Sequence, residues 1–303
     1  MSRRGWILFA LMSVIWGIPY LMIKVAVGGV SVPVLVFART AVGAAVLLPL
    51  ALWAGLPRGI LRHWRPLAAF AAIEIIVPWW LLSDAERHLT SSMTGLLIAA
   101  SPIIAVVLGR LTGDAERLGA VRWAGLAVGL AGVAVLAAPE LRGGDPWAIT
   151  EVLLTATCYA VAPIIAARRL QDVPALPMTA LCLTLAALVY TPPAIMTWPA
   201  ALPSGQVLAA LAGLALICTA LAFIVFFALI REVGTSRALV FTYVNPAVAV
   251  TAGVIVLGEP LTVPILVSFA LILGGSVLAT VSRRGDAGTP AGETEPAALR
   301  ARS

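Results

Sequence analysis

Three ionisable side chains sit inside otherwise apolar stretches. Glu74 lies in Ala72-Ile73-Glu74-Ile75-Ile76, Arg39 in Val36-Phe37-Ala38-Arg39-Thr40, and Lys24 in Met22-Ile23-Lys24-Val25. A carboxyl in apolar surroundings suits proton exchange or a cationic group, and a guanidinium suits a carboxylate. A charge at mid-bilayer costs at least about 2.5–3.5 kcal/mol, so each must face a cavity or a partner. Counted along a helix from Arg65, Glu74 is roughly 13 Å deep; counted from Pro33, Arg39 is roughly 9 Å from the opposite face. An arginine side chain can bridge that difference. Two readings of Glu74 follow. It is a proton-coupling or substrate-amine site tuned by Arg39, or it forms a structural ion pair with Arg39. Lys24 sits nearer the surface and has snorkelling as its plain reading.

Aromatic residues supply the second chemistry. Trp16, Tyr20, Trp79, Trp80, Tyr159 and Tyr243 lie within or beside apolar runs, as does the polar Asn245. Aromatic walls suit apolar or cationic solutes, through stacking and cation–π contact. The competing reading is an interfacial belt, which fits Trp53, Trp64, Trp123, Trp147 and Trp198 at the ends of runs. Pro102 and Pro246 fall inside runs, and each removes a backbone hydrogen bond. They are the expected hinge positions, with a packing kink as the alternative, and the preceding Ser101 and Asn245 are placed to re-satisfy the freed carbonyls. No enzyme constellation appears. The two histidines, His63 and His88, are far apart, and there is no phosphate loop, dinucleotide fingerprint, zinc motif or nucleophile elbow. Cys158, Cys182 and Cys218 have no metal spacing and read as small buried hydrophobes. No enzyme activity, cofactor or metal is expected.

The elements that position these groups follow from composition. Of 303 residues, 61% are hydrophobic and 11% charged. Soluble domains carry about 25% charged residues, so this chain has too little polar surface to fold in water. Disorder, a disulfide scaffold and a coiled coil are excluded on the same ground. Apolar runs fall near 6–27, 33–54, 66–84, 91–111, 119–138, 147–167, 175–197, 205–230, 236–257 and 262–281. Each is close to the roughly 20 residues a helical span needs. The expected fold class is therefore an all-α membrane protein with ten transmembrane helices. The first run follows Ser2-Arg3-Arg4 but is long and has no clear cleavage site, so it reads as a retained span. With both termini cytoplasmic, every basic residue except Lys24, Arg39, Arg87 and Arg142 falls on the cytoplasmic side. The net charge of +6 then reflects orientation, and nucleic acid is not an expected partner. Residues 283–303 read as a disordered cytoplasmic tail.

The chain compares with itself at an offset of 143–144. Trp16-Gly17 faces Tyr159-Ala160, Ser91-Ser92 faces Thr235-Ser236, Ser101-Pro102 faces Asn245-Pro246, and Gly132 faces Gly275. Glu116-Arg117-Leu118 faces Glu259-Pro260-Leu261. Five runs per half is an odd number, so the second half enters the membrane from the other side. Such inverted-topology repeats place a substrate site between the halves, near the midplane. The expected repeats are 1–138 and 139–282. Gly125-Leu126-Ala127-Val128-Gly129 fits a close-packing motif, serving packing within a monomer or a homodimer.

These features resemble the EamA-type transporters of the drug/metabolite transporter superfamily. The resemblance rests on Trp16-Gly17 with Lys24 and Arg39, on Ser101-Pro102 and Asn245-Pro246, and most specifically on Gly258-Glu259-Pro260-Leu261-Thr262. It implies ten helices in two inverted repeats, a central cavity walled by spans one to four and six to nine, and export of amino acids, other metabolites or toxic compounds. It places Trp16, Tyr20 and Tyr159 on cavity-facing spans. The acid at mid-span, Glu74, departs from the family pattern and marks a distinct subgroup. The expectation is a secondary transporter in the bacterial inner membrane. It exports a small amino acid-like or drug-like solute by alternating access, with Trp16, Tyr20, Arg39, Glu74, Trp79, Tyr159, Tyr243 and Asn245 in its site and Glu74 carrying a coupled proton. The rival is a non-transporting membrane receptor, scaffold or assembly factor.

Overall fold

The computed structural model describes residues 1–57, 59–111 and 119–280, and every regular element among them is helical. Eight helices are long and apolar enough to cross a bilayer: α1 (Arg3–Ala26), α2 (Val32–Ala54), α3 (Trp64–His88), α4 (Ser91–Gly109), α5 (Ala120–Gly143), α6 (Pro146–Arg169), α7 (Ala175–Met196) and α8 (Gly205–Val233). Two shorter apolar helices follow, α9 (Asn245–Leu257) and α10 (Val263–Ala279). A helical turn at Thr235–Ala238 and a 3-10 turn at Leu239–Tyr243 lead into α9. Most helices lie within a few residues of the apolar runs. The exception of consequence is α3, which continues past the end of its run at Asp84 to His88. The Glu116-Arg117-Leu118 segment and the tail at 283–303 lie outside the described residues.

Lipid offers no hydrogen bonds, so a spanning chain must satisfy its backbone internally. The helix ends show how the sequence does this. Ser31 Oγ accepts from Val34 N, Thr90 Oγ1 from Met93 N, and Asp145 Oδ1 from Trp147 N and Ala148 N. Each satisfies donors that the first turn of a helix leaves free. At the other end, Gly258 takes the left-handed conformation, φ 66°, that closes α9.

Helices pair across the two halves of the chain. α1 packs on α8 and α3 on α6, while α2 packs on α7, α4 on α9 and α5 on α10. The α5–α10 contact is close because glycines face one another. A Cβ on Gly275 would lie 2.4 Å from Gly129 N, and one on Gly125 would lie 2.5 Å from Ala279 N. The Gly125–Gly129 motif is thus used inside one chain.

Several helices are irregular. α1 breaks at Trp16–Ile18 ahead of Pro19, and α4 breaks at Ala99–Ala100 ahead of Pro102. π-helical segments interrupt α3 at Ala72–Ile76, five residues, and α8 at Gly213–Leu221, nine residues. Moved along by 143 residues, Ala72 becomes Ala215, inside the second π turn. Moved by 144, Ala100 becomes Val244, where the chain turns into α9. Two of the irregularities therefore recur at the spacing of the sequence repeat, whereas the break in α1 has no counterpart in α6, which is continuous.

Candidate functional site

Arg39 is the centre of a polar region inside the bundle. It projects from α2 and is only 6% exposed. Its Nε donates to Thr219 Oγ1 at 2.9 Å, and its Cζ lies 3.7 Å from the centroid of the Trp79 ring. Thr219 is held in turn, because its hydroxyl donates to Leu214 O at 2.8 Å, a carbonyl of the α8 π turn. Stacking on Trp79 is worth about 2 kcal/mol when desolvated. A guanidinium carries five N–H donors in a fixed fork. Among the described residues, only the Nε donor has a protein acceptor, so the Nη groups remain open to an anionic group. The groups close enough to feel the Arg39 charge are Tyr20, Tyr159, Cys218 and Glu86. Side chains of α1, α2, α3, α6 and α8 thus converge here, from both halves of the sequence.

Glu74 and Arg39 do not form an ion pair. Arg39 is turned onto Trp79, and Glu74 sits on the π turn of α3, where Tyr159, Cys158 and Cys182 are its electrostatic neighbours. The π turn has a local cause. Pro78 lacks an N–H, so the preceding backbone re-registers, with Val77 N donating to Ala72 O five residues back. A neighbouring carbonyl, Ile76 O, accepts from Tyr190 Oη at 2.6 Å. The structure therefore places the two charges at separate points of one region, Glu74 towards α6 and α7, Arg39 towards α8.

The remaining expected site residues divide into two groups. Tyr20, Trp79 and Tyr159 surround Arg39. Trp16 instead packs in an aromatic cluster with Phe223, Phe226 and Phe241, with centroids 5.8, 5.0 and 5.4 Å away. With its amide nitrogen facing the carbonyls, Asn245 donates to Phe241 O and Ser13 O, each at 3.1 Å, and so ties α9 to α1. Tyr243 is half-buried at the end of the 3-10 turn before α9. At Pro102, Ser101 Oγ donates to Ile98 O at 2.6 Å, the carbonyl the proline leaves free, and Ser276 Oγ donates to Ala99 O at 3.1 Å. At Pro246, Asn245 does not serve the stranded Thr242 carbonyl but the one before it.

A second polar cluster, at the α3–α4 end of the bundle, was not anticipated. Lys24 Nζ donates to the main-chain carbonyls of Glu86 and Leu89, both at 2.7 Å. Glu86 is fully buried, and neither carboxyl oxygen has a hydrogen-bond partner. Glu259 is the opposite case. Its oxygens accept from Ser91 N at 2.7 Å, Ser92 N at 3.0 Å and Ser92 Oγ at 2.5 Å, so it caps α4 from the connection between α9 and α10. A Cβ on Gly253 would lie 2.3 Å from Glu259 Oε2, so only glycine leaves room for this cap. Glu86 was missed because its run was closed at Asp84, where charges begin; the available signal was Glu86 standing one turn from Leu82 with no break between. Thr219 carried no signal, as a lone hydroxyl in an apolar run.

Among the described residues, two of the best-formed cavities are lined by neither Arg39 nor Glu74. One, of about 340 Å³, is an apolar groove between α2 and α7. The other, of about 290 Å³, is lined by Ser31, Trp80, Asp84, Arg87 and Thr197. Arg39 itself is buried in this conformation.

Comparison with known proteins agrees with this architecture. A solved crystal structure superposes with a TM-score of 0.65 at 23% identity, covering 93% of this chain and 100% of the other. The uncharacterized inner membrane transporter YedA of Escherichia coli (strain K12) is 31% identical over 284 residues, 91% of this chain and 90% of that protein. The uncharacterized transporter YvbV of Bacillus subtilis (strain 168) is 24% identical over 304 residues, 98% of both chains. The EamA-like transporter family matches twice, at residues 3–138 and at 146–281. With both halves matched and the membrane-spanning helices pairing across them, the chain is a multi-pass membrane protein that belongs to the EamA-like transporter family.

Proposed function

We propose that this protein is a secondary transporter of the bacterial inner membrane that exports a small organic solute bearing a carboxylate, by alternating access. Its ten helices are read as two inverted five-helix repeats, 1–138 and 139–282, with both termini cytoplasmic. The pairing of helices supports the repeat. Exchanging each helix with its counterpart five places on turns the α1–α8 pair into the α6–α3 pair and returns α2–α7, α4–α9 and α5–α10 to themselves. A site between halves related in this way can open to either side in turn.

The observation that carries the solute class is Arg39, buried between the halves with its Nη donors unclaimed. A buried guanidinium in that state favours a planar anion that accepts two parallel hydrogen bonds. Trp79, Tyr20 and Tyr159 offer faces for the organic part of the solute. Trp16, Tyr243 and Asn245, packed on the α1–α9 side in this conformation, are assigned to the site once it opens, and Pro102 and Pro246 are its hinges. Glu74 is assigned the coupled proton, or the amine of an amino acid-like solute.

The test is flux into proteoliposomes. Amino acids, nucleobases and organic cations would be offered with and without an imposed pH gradient. Accumulation of a carboxylate-bearing solute, lost in Glu74→Gln only where it depends on the gradient, is the expected result. Absence of flux for every solute would overturn transport in favour of a receptor or scaffold, and flux of organic cations alone would overturn the carboxylate assignment.

A further inference from the structure

The α3–α4 end holds two carboxyl groups in opposite circumstances. Glu259 receives three hydrogen bonds at a helix N-terminus, which is the environment of an ionised carboxylate. Glu86 is fully buried and receives none on either oxygen. A carboxylate taken out of water without a donor is the costliest way to bury a polar group, and a neutral carboxyl is the form such a place tolerates. A donor is close at hand but is committed elsewhere. The Lys24 ammonium donates to main-chain carbonyls of Glu86 and Leu89 and makes no hydrogen bond to the carboxyl, although its charge lies nearby. Those carbonyls are among the unpaired acceptors at the C-terminal end of α3, where a cation is well placed.

We propose that Glu86 is a proton-carrying carboxyl, loaded while this end of the bundle is open and sealed beneath Lys24 and the Glu259 cap when it closes. The charged and titratable groups facing it are Lys24 and Tyr20 from α1, Arg39 from α2 and Glu259 from the α9–α10 connection. Other charged groups at this end have one another as neighbours. Arg87 pairs with Asp84 at 3.2 Å and His88 with Asp145 at 3.2 Å, while Glu151 of α6 has Asp84 and Asp145 as its charge neighbours. Opening must pull Glu259 from Ser91 and Ser92, which are in the other half of the chain, and this admits water to Glu86. In the open state Glu86 takes its proton from water on this side, because without it the closed state would hold an unpartnered buried carboxylate. The proton leaves when the bundle opens at the other end, past Tyr20 and Arg39, which face Glu86 from within, so one proton crosses per cycle. This assignment rests on the transporter reading for its consequence, which is that the α3–α4 end closes with one proton aboard.

Infrared spectroscopy of the full-length protein in lipid nanodiscs tests the proton directly, without a solute. The protonated-carboxyl stretch at neutral pH is expected to lose a component in Glu86→Gln and to keep it in Glu259→Gln. Flux into proteoliposomes tests the coupling. One pH unit multiplies the accumulation ratio by about tenfold for each proton carried. Glu86→Gln is expected to lower that ratio by about tenfold while solute exchange without a gradient continues. Lys24→Met, which leaves the carboxyl in place, is expected to keep the infrared component and still lower gradient-driven accumulation by about tenfold, the share Glu86 carries beside Glu74. An infrared band unchanged in folded, monodisperse Glu86→Gln would overturn the proposal, as would wild-type accumulation in that variant. A lost band together with no flux of any solute in the wild type would instead overturn the transporter reading and, with it, the coupling role.

Discussion

Arg39 shows how one residue is fixed by several elements at once. Trp79 gives it a face, Thr219 takes one donor, and the remaining donors are left open. Lysine has no planar fork and cannot both stack and donate in this way. Arg39→Lys is therefore expected to weaken solute binding by about 1–3 kcal/mol, read as a rise in KM of about five- to 150-fold in a flux assay. A KM unchanged within twofold would place the solute elsewhere. At the same scale, the residues that pack differ from those that present chemistry. Trp16 was as strong a candidate as Trp79 on residue type alone, yet it is enclosed by three phenylalanines.

Among the elements, α4 is held by a residue far away in sequence. Glu259 supplies the acceptor for two backbone donors that α4 does not satisfy by itself. Glu259→Ala leaves those donors without a charged partner, and a loss of about 2 kcal/mol of stability is expected, measured as earlier thermal unfolding in detergent. Gly253→Ala should have a similar effect by a different route, because the new methyl group displaces the carboxylate. The α5–α10 pair makes the same point for packing. Gly275→Leu would force a side chain against the Gly129 backbone, so the two helices must separate. The expected outcome is loss of a monodisperse peak on size-exclusion chromatography, whereas Gly274→Leu, with open space around it, should elute as the wild type does.

The whole molecule follows from a duplication read twice by one family profile. If the two shorter helices span as well, as proposed, ten spans return the chain to the side from which it started. A reporter fused after Ser303 is accordingly expected to be active only in its cytoplasmic form, and activity of a periplasmic reporter at that position would contradict an even number of spans. The repeat also explains why the irregularities matter. The π turns of α3 and α8 sit at equivalent places, and one carries Glu74 while the other carries Thr219. The same backbone device was kept in both halves and given different side chains.

Composition and run length were enough to determine that this chain is a helical membrane protein, because hydrophobic burial in lipid depends on amount and length more than on detail. The offset of 143–144 made the repeat legible, and the apolar runs themselves marked Glu74, Arg39 and Lys24 as charges inside apolar sequence. Depth along the bilayer was also readable, since it follows from counting residues. Rotation about the helix axis was not. A π turn ahead of Pro78 changes the angle of Glu74, and the ion pair with Arg39 that depth alone allowed does not form. Nor could the end of α3 be read from hydropathy, because charged residues were taken to stop the helix when one of them, Glu86, turns inward under Lys24. Which buried groups find partners is decided by side chains brought from distant parts of the chain, and only the packed bundle sets those distances.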